Sequence, residues 1–241
     1  MMEMTLRMNR APAPFRKTVT LVSSAPAGPL FHDAWNGTGT ADGRAADTGQ
    51  IWGDGALLTP GSAALVTLTG TGEATSVPGS GATPFAQAMA TIADFSPASI
   101  DFTTVFRVDS NGTPATATIL SNQEVGFYVD GNPDYYYVGF GIFGNDTGER
   151  YINIYAYDSA VGWPPFLLLS DFGVNCDLDV EHTVIVKVRG LTVTVLYDTV
   201  EILSHSLNTI SAVFNYIVAS VDTVTGQGYL PHLLDSKVEI V

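Results

Sequence analysis

The sequence predicts an all-β chain, an antiparallel β-sandwich or jelly roll preceded by an extended N-terminal arm. Three observations carry this expectation. Apolar and polar residues alternate with a period of two along most of the stretch from 100 to 221. The 24 Gly and 13 Pro fall without period, as turns between many short strands require. A single short stretch, Ala86-Gln87-Ala88-Met89-Ala90-Thr91-Ile92-Ala93, has the composition of a helix. With 241 residues, 46% of them hydrophobic and 14% charged, the chain can bury one large core and is not of disordered composition.

Residues 1–27 read as a separate arm. Ala11-Pro12-Ala13-Pro14 cannot continue a helix, because proline lacks the N–H and restricts the residue before it. Thr18-Val19-Thr20-Leu21-Val22 has strand composition and can add to a neighbouring subunit, and Ala25-Pro26-Ala27-Gly28-Pro29 is a linker. The body then runs over 28–241. Its expected strands begin with Ala64 to Leu68, followed by a polar loop from Gly70 to Pro84. Ile100 to Val108 leads into Asn111-Gly112, a hairpin dipeptide. Next come Ala117 to Leu120, Val125 to Val129, a turn at Asp130-Gly131, Tyr136 to Phe143 and Tyr151 to Tyr157. Trp163-Pro164-Pro165 is irregular, because two prolines remove ladder donors, and Leu167 to Leu169 is a short strand. Val184, Val186 and Val188 alternate with Thr183, Ile185 and Lys187 in the strand His182 to Val188, which Arg189-Gly190 turns back. Thr192 to Tyr197, Thr199 to His205, Phe214 to Val221 and Lys237 to Val241 complete the set, with the last strand expected beside the first.

Charge is segregated along the chain. Arg7, Arg10, Arg16 and Lys17 face only Glu3 in the first seventeen residues, a formal +3, so the remainder of a chain at −14 carries −17. A basic arm on an acidic body is built to dock on an acidic surface, these four side chains acting as its anchors; a frayed end of no consequence is the bland alternative. The acidic body disfavours direct nucleic-acid binding. Cys176 is the only cysteine, which excludes an internal disulfide framework. No apolar run has signal-peptide or membrane-spanning length, so neither export by a leader nor membrane insertion is expected.

The densest signal is Asp33-x-Trp35-Asn36-Gly37 followed by Gly43-Arg44-x-x-Asp47-x-Gly49-x-x-Trp52, aromatic residues in a frame of turn formers. A second block runs from Glu181-His182-Thr183-Val184-Ile185-Val186-Lys187-Val188 through a short turn to Thr192-Val193-Thr194-Val195-Leu196-Tyr197-Asp198. Together these resemble the concanavalin A-like, laminin-G-like jelly-roll domains of bacteriophage virion structural proteins. The match is at the level of pattern over about 28–241. The family's usual Trp before the histidine and Gly after the aspartate are here Glu181 and Thr199. The resemblance implies a location in the virion and partnership with other virion proteins of the capsid shell or tail. The implied role is a capsid decoration or cement protein, a homo-oligomer with a trimer among the states allowed, anchored through its arm. Its alternative is a tail-associated or head-fibre receptor-binding protein recognising host surface glycans. It implies no cofactor beyond a structural calcium ion, whose ligands it assigns to no residue.

Chemistry finds little local support in the chain. Glycoside hydrolysis needs two facing carboxylates, and Glu3, Glu73, Glu124, Glu149, Glu181, Glu201 and Glu239 all lack a second acid in the Glu-x-Asp-x-x-Glu neighbourhood that places them on one strand face. There is no Gly-x-Ser-x-Gly elbow. His32, His182, His205 and His232 are scattered without an evident acid partner. The expectation is therefore a protein that is not an enzyme, with no catalytic residues and no metal site. Asp130-Gly131-Asn132-Pro133-Asp134 begins like a calcium loop, yet Tyr135 stands where the glycine belongs and Gly141 where the bidentate acid belongs, so it reads as a polar turn. Carbohydrate binding has better support. Tyr151, Asn153, Tyr155 and Tyr157 alternate onto one strand face, with Tyr135, Tyr136, Tyr137 and Trp163 near if the strands pair, and aromatic rings with polar edges stack on sugars. Cross-strand packing or burial at a subunit interface is the competing account of the same tyrosines.

Overall fold

The computed structural model describes residues 28–55, 60–76, 86–95, 99–110, 118–128, 135–144, 150–158, 166–173, 177–206, 214–221 and 229–241, over 118–173 as backbone. The strands are β1 (Phe31–Asp33), β2 (Thr38–Thr40), β3 (Trp52–Gly53), β4 (Val66–Thr69), β5 (Ala74–Ser76), β6 (Gln87–Phe95), β7 (Ser99–Ser110) and β8 (Thr118–Tyr128). They continue with β9 (Tyr135–Gly144), β10 (Arg150–Asp158), β11 (Phe166–Gly173), β12 (Glu181–Arg189), β13 (Thr192–Tyr197), β14 (Val200–Ser206), β15 (Phe214–Ser220) and β16 (Tyr229–Ile240). One 3₁₀ turn, Ala63–Leu65, precedes β4. No helix among the described residues is long and apolar enough to cross a membrane.

Two antiparallel sheets form the sandwich. One runs β14-β13-β12-β7-β16-β5-β4-β2, with β1 also paired to β16; the other runs β11-β10-β9-β8-β15-β6-β3. The first strand does lie beside the last, Phe31 opposite Val238 and Asp33 opposite Ser236. Between the sheets lies one core. The first sheet contributes Phe102, Phe106, Val184, Val186, Val193 and Val195; the second contributes Ala88, Ala90, Ile92, Ile217 and Ala219. The period-2 segments of the sequence supply these alternate positions, so burying one face of each strand selects the register.

Three local expectations are corrected. The stretch 86–93 is not helical but most of β6, where Ala88, Ala90 and Ile92 are buried and Thr91 and Ala93 exposed. Alanine favours an isolated helix, but an edge-to-edge place between β15 and β3 supplies ladder partners and a two-residue burial period that override it. β7 and β8 form no hairpin with each other, since one belongs to each sheet; Asn111-Gly112 lies outside the described residues. The segments 117–120 and 125–129 are one continuous strand, β8, because β15 and β9 pair with it on both sides.

Candidate functional site

The opening motif converges on one buried carboxylate. Asp33, fully buried, accepts hydrogen bonds from the Trp35 backbone N–H at 2.9 Å, the Trp52 indole Nε1 at 2.5 Å, and Arg44 Nη2 at 2.5 and 2.6 Å to its two oxygens. The short Asp-to-N–H loop holds Trp35 at φ +53°, a left-handed conformation that a bulky residue adopts only when its surroundings impose it. Trp35 then stacks on Trp52 at 4.8 Å, lies under the Arg44 guanidinium at 5.3 Å, and donates its own Nε1 to Ser236 Oγ at 3.1 Å. Burial pushes the Asp33 carboxyl above its usual range, against the pull of Trp52, Arg44 and Trp35. Because Trp52 lies in one sheet and Asp33 in the other, the cluster pins the sheets together. It is a structural keystone with every carboxylate lone pair occupied by the protein.

Three of the four histidines have acid partners that the linear sequence conceals. His32 Nε2 meets Asp235 at 2.8 Å, and His182 Nδ1 meets Asp198 at 2.7 Å while its ring stacks on Tyr197 at 5.2 Å. His232, almost fully buried, faces Glu73 at 3.0 Å through Nδ1 and Asp109 at 3.1 Å through Nε2, as ion-pair contacts rather than aligned hydrogen bonds. Arg107 binds both acids, at 2.9 Å to Glu73 and 2.5 Å to Asp109. Burial raises the Asp109 carboxyl, but the Arg107 hydrogen bond and the nearby His232 and Arg107 side chains outweigh it and hold it below the usual carboxylate range. Asp109 itself raises the Arg107 guanidinium further. None of these groups gathers into a metal-holding set among the described residues.

The tyrosine stripe has a definite place. β10 pairs with β9 in unbroken register, Tyr157 opposite Tyr137, Tyr155 opposite Gly139, Asn153 opposite Gly141 and Tyr151 opposite Phe143. Following the ladder through β8 and β15 to β6, Gly139 leads to Glu124, Val218 and Met89, and Gly141 leads to Asn122, Ser220 and Gln87. On β6 the core side chains are Ala88 and Ala90, with Met89 and Thr91 on the opposite parity. Tyr151, Asn153, Tyr155 and Tyr157 therefore occupy the outer face of the second sheet, while Ile152, Ile154 and Ala156 take the core-facing set. Tyr216, Val218 and Ser220 of β15 are buried although they share that outer face, so the face is covered at β15. Of the tyrosines expected near the stripe, Tyr137 stands opposite Tyr157 and Tyr136 opposite Asp158, and Tyr135 lies beyond the paired stretch. Arg7, Arg10, Arg16, Lys17, Trp163, Cys176 and the run 130–134 lie outside the described residues. What the sequence did not single out is the company of the stripe, namely Gly126, Gly139, Gly141, Asn122 and Glu124 from two other strands.

No family model matches the chain, and no curated protein matches it. Solved structures do. The CBM2 module of the evolved Dit of Lactobacillus casei BL23 phage J-1 superposes with a TM-score of 0.55 at 12% identity, over 88% of this chain and 95% of that one. The alginate lyase Aly36B gives 0.54 at 10% identity, over 88% and 96%. A β-glucanase-like protein from Mycobacterium abscessus gives 0.52 at 10% identity, over 88% and 100%. These similarities correct the expectation that the chain is not an enzyme, for the same fold carries a lyase and a protein described as a glucanase. Facing carboxylates need not be spaced along one strand. A sheet instead gathers carboxylates from separate strands onto one face, as it does Glu124 of β8 and Asp171 of β11. At these identities what is shared is the architecture, an all-β sandwich of two antiparallel sheets.

Proposed function

We propose that this is a bacteriophage virion protein whose sandwich binds glycans on the outer face of its second sheet. The observation that carries the reading is the register of β8, β9 and β10, which sets Tyr137, Tyr155, Tyr157, Asn122, Asn153 and Glu124 at positions of one sheet face. Aromatic rings supply stacking area and the amides and carboxylate supply hydrogen bonds to hydroxyls, the composition a sugar site needs. The likeness to a phage carbohydrate-binding module supports the same reading. The test is binding of the full chain to a panel of immobilised bacterial and plant polysaccharides. Binding is expected, and Tyr155→Ala should weaken it about tenfold, or about 1.4 kcal/mol. A chain that retains no polysaccharide on the panel would overturn the reading.

A second reading concerns attachment, and the charge segregation favours it. Four basic side chains in 1–17 against a remainder at −17 make residues 1–27 the anchor to other virion proteins, capsid shell or tail, and the body 28–241 the displayed domain of a homo-oligomer. Deleting residues 1–24 should leave a folded body that no longer co-sediments with particles lacking the protein. Undiminished co-sedimentation of the truncated body would refute the anchor.

A further inference from the structure

The two glycines inside β9 share one face, a third standing at the strand's end. At the outer positions the strand reads Tyr135, Tyr137, Gly139, Gly141 and Phe143, and at the core-facing positions Tyr136, Val138, Phe140, Ile142 and the terminal Gly144. Gly126 on β8, opposite Tyr137, shares the outer face. Glycine inside a strand weakens it, having no side chain to pack, and marks a place where a ligand or another backbone comes close. Both neighbours of this strand pair with it, so no third backbone takes the space by pairing.

We infer that Gly139 and Gly141 floor a slot for one uncharged sugar ring of a polysaccharide, an inference that rests on the glycan-binding reading above. The positions flanking the floor are Tyr155 and Asn153 on β10 and Glu124 and Asn122 on β8. Strands are about 4.8 Å apart, so the flanking strands stand about 10 Å from each other, and two residues along β9 span about 7 Å, the footprint of one pyranose ring. Tyr137 and Phe143 are the next outer positions along β9 at either end of the floor.

Charge fixes the class of sugar. The outer positions of β6, β8, β9, β10, β11 and β15 carry no Lys or Arg, and Arg150 has the core-facing parity at the end of β10. They do carry Glu124 and Asp171. A polyuronate or a phosphate-linked polymer would bring negative charge to a face whose described outer positions hold carboxylates and no cation. A neutral ring brings hydroxyl donors, which a carboxylate accepts strongly.

The test uses the full chain and three soluble probes of matched length, a neutral β-glucan oligosaccharide, an alginate oligosaccharide and a poly(glycerol phosphate), titrated by calorimetry. Neutral probe should bind at least about tenfold more tightly than either polyanion. Gly139→Val and Gly141→Val should abolish that binding while leaving the thermal midpoint equal or higher, because valine is the better strand residue. Thr91→Val, on the outer face of β6 away from the slot, should bind as the unaltered chain does. Tighter binding of a polyanion overturns the assignment of sugar class but leaves the glycan reading standing. Unchanged affinity in the glycine variants, or a fall in the midpoint alongside lost binding, overturns the slot. If the unaltered chain binds none of the three but retains other polysaccharides on the panel, the slot assignment fails alone; if it retains nothing at all, the functional reading fails with it.

Discussion

Replacing Asp33 by alanine removes the acceptor for three groups at once. The Arg44 guanidinium, with a side chain only 15% exposed, loses both its bonds to the carboxylate, the Trp52 indole N–H loses its acceptor, and the Trp35 backbone N–H loses the contact that holds its left-handed turn. Breaking a buried pair by removing one partner costs about 3–5 kcal/mol, because the other charge stays behind without compensation. In a domain of this size 1 kcal/mol moves the melting point by about 2–4 °C, so Asp33→Ala should lower it by about 6–20 °C. Urea unfolding followed by tryptophan fluorescence reads the loss directly, since Trp35 and Trp52 are buried in the cluster. Asp47→Ala is the control. Asp47 accepts from the Ala34 N–H at 2.9 Å from a 39% exposed position, and its loss should cost about 1 kcal/mol or less. The double variant Asp33→Ala/Arg44→Met should cost less than the sum of the singles, because it leaves no orphaned charge. A loss for Asp33→Ala no larger than that for Asp47→Ala would refute the keystone argument.

Thr199 sits at φ +73° in the turn between β13 and β14, where a β-branched residue is strained by about 1–2 kcal/mol. Thr199→Gly relieves this and gives back about 0.4–1 kcal/mol in unfolded-chain entropy, so chemical denaturation should show a net gain of about 0.5–1 kcal/mol. Desolvation raises the Asp54 carboxyl, but the backbone N–H donors of Ala63 and Gly61 together with Ser62 outweigh it and hold it below its ordinary 3.8. A lowered folded value means its contribution is complete above 3.8 and fades as the pH falls through the folded value. The stability gap between the unaltered chain and Asp54→Asn should therefore narrow in acid titrations below that point, and a gap that widens there refutes the assignment. Ala93→Thr separates strand from helix in β6: on its exposed strand position it should leave stability equal or raise it by a few tenths of a kcal/mol, whereas a helix would be weakened.

The class of fold was legible because burial of one strand face writes itself into the chain as alternation. His182 to Val188 shows it, and the structure buries Val184, Val186 and Val188 as that pattern requires. The same logic puts Tyr151, Asn153, Tyr155 and Tyr157 at positions of one strand face, since parity is a local property. Segment 86–93 misled because its alanines carry a helix preference smaller than the ladder bonds and core contacts that only β15 and β3 supply. Asn111-Gly112 misled because a turn dipeptide does not say whether the next strand returns to the same sheet or crosses to the other. The tertiary structure alone decided the rest. Asp33 meets Arg44 and Trp52, His232 meets Glu73 and Asp109, and Gly139 meets Tyr155 and Glu124 only after strands far apart in sequence have paired. Period and propensity are properties of neighbouring residues, whereas a site is made of contacts between distant ones, and those exist only once the two sheets have closed on their core.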